Sequence, residues 1–177
     1  MIYIYVILLI IVIIMMWMYL LSLLNNIIYR VPQVSTFNSD LNILRNVFDK
    51  YNLNWKKICD LWSWTWKMIR LFEREYKMQP TWFEIDFSNV IISKILNKLF
   101  SLNTRTYKKN YLKTDLSNFD FIYVYLFPVL MKKLEKKIWF NCKPWTIIFV
   151  NAFKFEGHEP IEVFQKNWKD KIFVYEV

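Results

Sequence analysis

Residues 60–67 have the sequence D-L-W-S-W-T-W-K, in which three tryptophans alternate with other residues directly after an apolar run typical of a β-strand. This pattern places the stretch in the loop that follows the first strand of the chain. The whole sequence of 177 residues contains 9 Trp and only 1 Gly. Because turns favour residues that tolerate a positive φ, three bulky indoles in one loop need an explanation.

The sequence around this loop alternates between strand and helix patterns. Strands are predicted at 57–61, 81–85, 105–109, 121–126 and 146–150. Helices are predicted at about 41–48, 66–76, 88–99 and 128–138, with Asp86 and Pro128 at two of the helix starts. The tail differs, because 161–165 and 171–176 flank a polar turn and are typical of an antiparallel hairpin. Together these units predict an α/β fold with a Rossmann-like, open, mostly parallel sheet and a C-terminal antiparallel hairpin.

Residues 2–24 carry no charge and are long enough to cross a bilayer as a helix. They lack the positively charged start, short apolar core and small-residue cleavage site of a signal peptide. Arg30 and Arg45 follow the segment and no basic residue precedes it, which favours a cytoplasmic location for the rest of the chain. We therefore expect a single-pass membrane protein, with an anchor and flank at 1–30 and one folded domain at 31–177.

Charge and cysteine content narrow the possible functions. The formal net charge of +9 suits an anionic membrane surface, nucleic acid or an acidic substrate, although a solvated basic surface is the simplest explanation. The two cysteines, Cys59 and Cys142, are far apart in the sequence. They indicate neither a disulfide framework nor a zinc site, and no metal is expected.

Glycine in place of each tryptophan would turn the 60–67 stretch into D-L-G-S-G-T-G-K. Such a loop lets backbone N–H groups approach a ligand at the carboxyl ends of the strands, whereas indoles would block that approach. The same replacement would produce Asn-Gly at Trp55 and Trp168, Pro-Gly at Trp145, and a glycine at Trp82 beside the loop.

Glycine usage leads to the same hypothesis. An average share of about 7% predicts roughly 12 glycines in a chain of this length, and 1 Gly plus 9 Trp makes 10. The sequence therefore suggests that UGA codons read as Trp encode Gly in the source organism. The alternative is that the tryptophans are real and form an aromatic core or an interface patch.

Four motifs point to one enzyme family. They are 57–66, 82–86, 124–128 and the pair 143–145 with 150–153. On these motifs, residues 31–177 resemble the class I S-adenosylmethionine-dependent methyltransferases, and most of all the small membrane-anchored group related to archaeal and mitochondrial protein lysine methyltransferases. The resemblance implies S-adenosylmethionine as cofactor and a protein lysine as methyl acceptor. Read literally, the first motif departs from the family pattern at its three glycines.

The resemblance also implies roles for individual residues. Asp60 would lie near the cofactor's amino group, and Glu84 would accept hydrogen bonds from its ribose hydroxyls. Asn110 and Tyr111 would contact the adenine, and Thr36 the cofactor carboxylate. A helix cap, a surface charge and a plain loop are the structural alternatives for Asp60, Glu84 and the 110–111 pair. The cofactor-binding candidates are Asp60, Trp62, Ser63, Trp64, Trp66, Glu84, Asn110, Tyr111 and Thr36.

The methyl acceptor would arrive after the fourth strand, where the resemblance implicates Tyr125, Leu126 and Pro128. Tyr125 could equally be a core residue. No dedicated catalytic base is evident, and the single histidine, His158, is more typical of a turn.

Two other function classes stay open. One is a non-catalytic membrane-anchored binding module or a degenerate relative of these enzymes. The other is a nucleic-acid methyltransferase, and we do not expect it because the fourth strand lacks the Asn-Pro-Pro-aromatic motif of many base methylases.

Overall fold

The computed structural model describes residues 2–29, 41–61, 67–166 and 170–177. Several sequence-based predictions fall outside these ranges. They concern Thr36, Trp62, Ser63, Trp64, Trp66 and Trp168.

The predicted strands are all present, with ends shifted by one or two residues. They are β1 (Lys57–Asp60), β2 (Gln79–Glu84), β3 (Arg105–Lys108), β4 (Phe121–Val124), β5 (Ile147–Asn151), β6 (Glu162–Gln165) and β7 (Lys171–Glu176). The helices are α1 (Ile2–Tyr29), α2 (Leu41–Phe48), α3 (Lys67–Arg70), α4 (Phe87–Leu99) and α5 (Pro128–Asn141). The predicted helix at 66–76 is divided, because α3 continues as a π-helical turn at Leu71–Glu75. A short 3-10 helix at Tyr111–Lys113 follows β3.

The seven strands form one sheet in the order β3-β2-β1-β4-β5-β7-β6. The first five strands of this order pair in parallel, whereas β7 is antiparallel to both β5 and β6. The predicted mostly parallel sheet with a C-terminal hairpin is therefore confirmed. Because β1 and β4 lie side by side, their carboxyl ends meet near the centre of one edge of the sheet.

Apolar side chains cover both faces of the sheet. On one face, α2 and the turn after α3 pack Phe48 and Phe72 near Phe149. On the other face, α5 packs Leu134 against the cluster that contains Ile122. Each such side chain contributes about 1.5–3 kcal/mol when fully buried. The helices that follow β1 and β4 thus lie on opposite faces, and this geometry opens a crevice between the two strand ends.

The N-terminal helix α1 is long and apolar. Its window Tyr3–Leu20 has a mean hydropathy of 2.7, and none of it is buried within the protein. Length and composition allow it to cross a membrane, but a signal sequence passes the same test, so the anchor stays a prediction. Near the end of this window, the Ser88 hydroxyl donates a 3.1 Å hydrogen bond to the carbonyl of Met18. Helix α1 therefore contacts the first turn of α4.

Two exposed tryptophans lie at turns in the left-handed backbone conformation. Trp55 has φ 61° and Trp145 has φ 71°, and their side chains are 70% and 78% exposed. Lys77, Ser101 and Ala152 share the conformation. A Cβ atom in this region approaches the following carbonyl oxygen at a cost of roughly 1–2 kcal/mol, which glycine avoids. The exposed indoles regain little of that cost by burial.

Replacing Trp55 or Trp145 by Gly is expected to stabilise the protein by about 1 kcal/mol at each site, because the left-handed conformation then carries no Cβ clash. The free energy of unfolding of the full chain in mild detergent measures the effect. Trp55→Ala and Trp145→Ala are the matched controls, since they remove the indole and keep Cβ. Equal gains from alanine and glycine would show that the backbone conformation is not the cause.

Candidate functional site

The two acidic candidates lie at the ends of neighbouring parallel strands. Asp60 ends β1 and is buried, and Glu84 ends β2 and is partly buried. In the strand register Asp60 pairs with Trp82, two residues before Glu84. Since side chains two residues apart share a face of a strand, both carboxylates project from the same face of the sheet. The structure thus brings these two predicted residues together.

Backbone hydrogen bonds hold the carboxylate of Glu84 in place. Its Oε1 accepts hydrogen bonds from the N–H groups of Ile85 at 2.7 Å and Asp86 at 2.9 Å. Its Oε2 accepts a longer one, 3.3 Å, from the side chain of Asn89. Burial raises the pKa of Glu84 although these hydrogen bonds oppose the change. The carboxylate is oriented, and its Oε2 keeps capacity to accept hydrogen bonds from a ligand.

Asp86 caps the start of α4, as the sequence predicted. Its Oδ1 accepts hydrogen bonds from the N–H groups of Ser88 at 2.7 Å and Asn89 at 3.3 Å. These bonds satisfy two donors at the start of the helix. Asp86 therefore has a structural role next to Glu84.

A buried polar pair that sequence reasoning missed lies beside Asp60. The side chain of Asn151, at the end of β5, donates a 3.0 Å hydrogen bond to the hydroxyl of Tyr123 on β4. Tyr123 pairs with Asp60 in the register between β1 and β4. Polar side chains therefore cross three adjacent strands near their carboxyl ends. The available signal was that each is a polar residue in or directly after an apolar strand run.

Trp82 occupies the same region of the sheet. Its side chain is buried, and its Nε1 has no hydrogen-bond partner within the part of the chain that the structure describes. A buried donor without an acceptor costs about 1–3 kcal/mol. An indole next to Asp60 therefore gains apolar burial but loses a hydrogen bond.

The three acceptor-site candidates differ in their surroundings. Tyr125 follows β4 and is half-buried, and burial raises its pKa, with the charge of Asp170 acting in the same direction. Leu126 is buried in the apolar cluster beneath α5, and Pro128 is the first residue of α5. Of the three, only Tyr125 presents a side-chain polar group at the strand end.

Asn110 and Tyr111 have clear structural roles. The side chain of Asn110 accepts a 2.9 Å hydrogen bond from the N–H of Leu112 and begins the 3-10 helix. Tyr111 is buried in the core, and burial raises its pKa to about 12. An adenine contact by these two residues stays a prediction, as do the contacts assigned to Thr36 and to positions 62–66.

His158 lies away from the strand ends. Its Nδ1 is 2.9 Å from Oε1 of the buried Glu135 on α5, and its ring stacks on Trp139 with 3.6 Å between ring centroids. The N–H of Gly157 donates to the same carboxylate oxygen at 2.8 Å. A Cβ at Gly157 would lie 3.1 Å from that oxygen, so the chain's only glycine occupies a close approach. This arrangement holds the loop after β5 against α5.

The cysteines and potential metal ligands suggest no further chemistry. Burial raises the pKa of Cys59 well above its ordinary value and that of Cys142 to about 12, so both thiols are poor nucleophiles. Within residues 2–29, 41–61, 67–166 and 170–177, no cluster of three or more His, Cys, Asp or Glu could hold a metal ion.

Comparison with solved structures shows which proteins share this fold. An RNA methyltransferase from Salinibacter ruber, solved with S-adenosyl-L-homocysteine, is 14% identical, with a TM-score of 0.73 over 80% of this chain and 94% of that one. A putative methyltransferase from Escherichia coli is 15% identical, with a TM-score of 0.64 over 82% and 90%. A methyltransferase from Geobacter sulfurreducens, also with S-adenosyl-L-homocysteine, is 10% identical, with a TM-score of 0.54 over 64% and 48%.

The chain therefore has the fold of class I S-adenosylmethionine-dependent methyltransferases. No protein-family model matches it, and no curated protein matches its sequence. An RNA methyltransferase shares the fold, which runs against the expectation that nucleic acid is not a partner, and that expectation stays a prediction. At these identities the likeness concerns the fold and leaves the acceptor open.

Glu84→Gln is expected to flatten the pH dependence of stability. Burial raises the pKa of Glu84 in the folded state. The stability that protonated Glu84 contributes is therefore fully present below the pKa of the unfolded chain, about 4.3, and is lost as pH rises through the folded-state pKa. Glutamine cannot ionise, so the variant should gain stability relative to the parent above that range. The gain is about 1.4 kcal/mol for each pH unit that separates the folded and unfolded pKa values.

Unfolding of the full chain in detergent between pH 4 and 7 provides the measurement. Glu156→Gln removes an exposed carboxylate and is the matched control. If the free energy of unfolding changed with pH equally in Glu84→Gln and in the parent protein, burial would not raise the pKa of this carboxylate.

Proposed function

We propose that the protein is an S-adenosylmethionine-dependent methyltransferase, anchored by α1 in a membrane with its catalytic domain in the cytoplasm. The observation that carries this proposal is the pair of carboxylates, Asp60 and Glu84, at adjacent strand ends beside the β1–β4 crevice. These two side chains fit the cofactor. The buried carboxylate of Asp60 would attract its ammonium group, and the oriented carboxylate of Glu84 would accept hydrogen bonds from its ribose diol. Shared fold with methyltransferases supports the same conclusion.

The chain's own residues would bind the cofactor, orient the acceptor and shield the crevice from water. When bound, S-adenosylmethionine supplies a methyl group already activated on a sulfonium sulfur. Asp60 would hold the amino group of the cofactor, and Glu84 its ribose. Tyr125 would orient the acceptor, while Leu126 and the apolar cluster beneath it keep water from that side.

Methyl transfer sets simple requirements for the acceptor. The chain's own residues would have to hold the acceptor atom in line with the methyl group that the bound cofactor would supply. A lysine acceptor must first lose the proton of its ammonium group. The sequence shows no dedicated base, and solvent would take that proton.

The proposal includes glycine at the UGA-encoded positions in the source organism. Trp55 and Trp145 hold a backbone conformation that suits glycine, and Trp82 buries an indole N–H that has no partner among the described residues. Glycine removes all three costs and would open the 62–66 loop to the cofactor. Trp139 gives no such sign, because its ring packs against Phe155 and other aromatic rings.

A protein with Trp62, Trp64 and Trp66 replaced by Gly is expected to bind S-adenosyl-L-homocysteine at least about tenfold more tightly than the written sequence, a difference of about 1.4 kcal/mol. The three indoles would occupy the space that the loop backbone needs to reach the cofactor. Titration calorimetry on the full chain in detergent measures the affinity. In the glycine background, Asp60→Asn and Glu84→Gln should weaken binding, and Glu156→Gln should not.

The outcomes separate the glycine assignment from the methyltransferase assignment. Equal binding by the glycine and tryptophan proteins, or Trp in peptides of the native protein by mass spectrometry, rejects the glycine assignment alone. If both proteins are folded by circular dichroism and neither binds, the methyltransferase proposal fails. A non-catalytic membrane-anchored binding module then explains the fold better.

For the acceptor we propose a lysine side chain of a membrane-associated protein, on the family resemblance. With isotope-labelled methyl donor and membranes as substrate, the glycine-restored enzyme should transfer label into material that protease destroys and ribonuclease leaves intact. Amino-acid analysis should then find the label in methylated lysine. A variant with Asp60→Asn is the control for background transfer.

RNA is the alternative acceptor, favoured by the shared fold with an RNA methyltransferase and by the net charge of +9. Loss of the label on ribonuclease treatment would replace the lysine assignment with RNA. The anchor and cofactor proposals would be unaffected by that result.

A further inference from the structure

Helix α4 has its polar and apolar sides reversed relative to an ordinary surface helix. Its side chains buried on the side of the sheet are Val90, Ser93 and Asn97, of which two are polar, whereas the buried Ser88 lies on the other side and contacts α1. Exposed apolar side chains occupy the opposite side. A surface helix normally turns its apolar stripe toward the core.

Hydrogen bonds to β3 and to the residue just before it explain why the side of α4 that faces the sheet can be polar. The hydroxyl of Ser93 lies 2.9 Å from that of Thr106 on β3. The side chain of Asn97 donates to the carbonyl of Thr104 at 3.1 Å and to the Thr106 hydroxyl at 3.3 Å. The side chains of Ser93 and Asn97 are thus paired, and Val90 is the apolar side chain of α4 that is buried with them.

The outer side carries an apolar stripe. Phe87, Ile91, Ile95 and Leu99 recur every fourth residue and lie along one side of a helix about 18 Å long. Ile95 is 58% exposed and Leu99 is 72% exposed. We call these four residues the α4 stripe.

Helix α1 contacts α4 at the start of this stripe. The Ser88 hydroxyl bonds to the carbonyl of Met18, which lies two residues before the end of the apolar window Tyr3–Leu20. If that window crosses a bilayer, α4 begins at the depth where the window ends. The α4 stripe then continues from the surface of the anchor helix itself.

Basic side chains surround the stripe. Lys94 and Lys98 are on α4, which contains no acidic residue. At the start of α4, the ammonium of Lys108 lies 5.2 Å from the ring centroid of Phe87. At its end, the guanidinium groups of Arg70 and Arg74 lie 5.4 and 5.9 Å from the ring centroid of Phe100. An apolar surface with a basic border suits the boundary between acyl chains and anionic headgroups.

We propose that the α4 stripe lies in the headgroup layer of an anionic bilayer, as a second membrane contact beside α1. This inference rests on the anchor part of the proposed function. A second copy of the chain is disfavoured as the occupant, because it would bring the basic borders of two α4 helices together. The contact would fix the orientation of the folded domain on the membrane, which a single anchor helix leaves free.

Depth-dependent quenching tests the proposal on the full chain. In a Cys142→Ser background, Leu99→Cys or Ile95→Cys carries a fluorophore, and the protein is reconstituted in vesicles of phosphatidylcholine and phosphatidylglycerol. Phe140→Cys is the matched control, since Phe140 is an exposed apolar residue on α5, the helix of the opposite face. Nitroxide-labelled lipid should quench the probes at 95 and 99 several-fold more strongly than the probe at 140. Aqueous iodide should show the reverse order.

Each outcome decides the proposal. Iodide access at 95 and 99 in protein that resists carbonate extraction overturns the α4 contact and leaves the anchor intact. Protection from iodide without lipid quenching, lost when the protein is diluted in lipid, assigns the stripe to a second copy and also overturns the contact. Complete release by carbonate rejects anchor and contact together, whereas cofactor affinity reports separately on the methyltransferase assignment.

Discussion

The parallel pairing of β1 with β4 is the constraint on which the rest of the structure depends. It places two strands that are distant in sequence at the centre of the sheet, with Asp60 beside Tyr123. Their following helices cover opposite faces, so the strand ends are left open to a ligand. The backbone ladder and the apolar layers under α2 and α5 hold this arrangement. The candidate site is thus a consequence of strand order, and its polar residues occupy positions that the order makes adjacent.

The tryptophans differ in how well the sheet, its turns and its helices accept them. At Trp55 and Trp145 the backbone follows a turn that glycine adopts without strain, and at Trp82 the indole fills the sheet beside Asp60 while its N–H finds no acceptor among the described residues. The two backbone strains and the unpaired indole N–H lie at three separate places, and glycine would remove each of them. Trp139 shows the opposite, because a packed aromatic ring lies on α5 between neighbouring rings.

Much of the fold could be predicted because its signals are local. Apolar runs identified every strand to within two residues, and Asp86 and Pro128 identified two helix starts. The acidic candidates Asp60 and Glu84 followed from strand ends and from the family resemblance. The hydrogen bond between Asn151 and Tyr123 could not be predicted, since it joins residues that only strand order brings together. The reversed polarity of α4 was missed for a related reason: periodicity locates a helix and its apolar side, but the partner of each side depends on tertiary structure.

The start of α4 connects the candidate site to the N-terminal helix. Ser88 bonds to Met18 of α1, while the next residue, Asn89, bonds to the carboxylate of Glu84. Asp86 caps the same turn. One turn of helix therefore contacts both the apolar helix and a residue assigned to the cofactor. If α1 crosses a bilayer, the crevice must lie close to its surface, and an acceptor held at that surface reaches the site more readily than one free in solution.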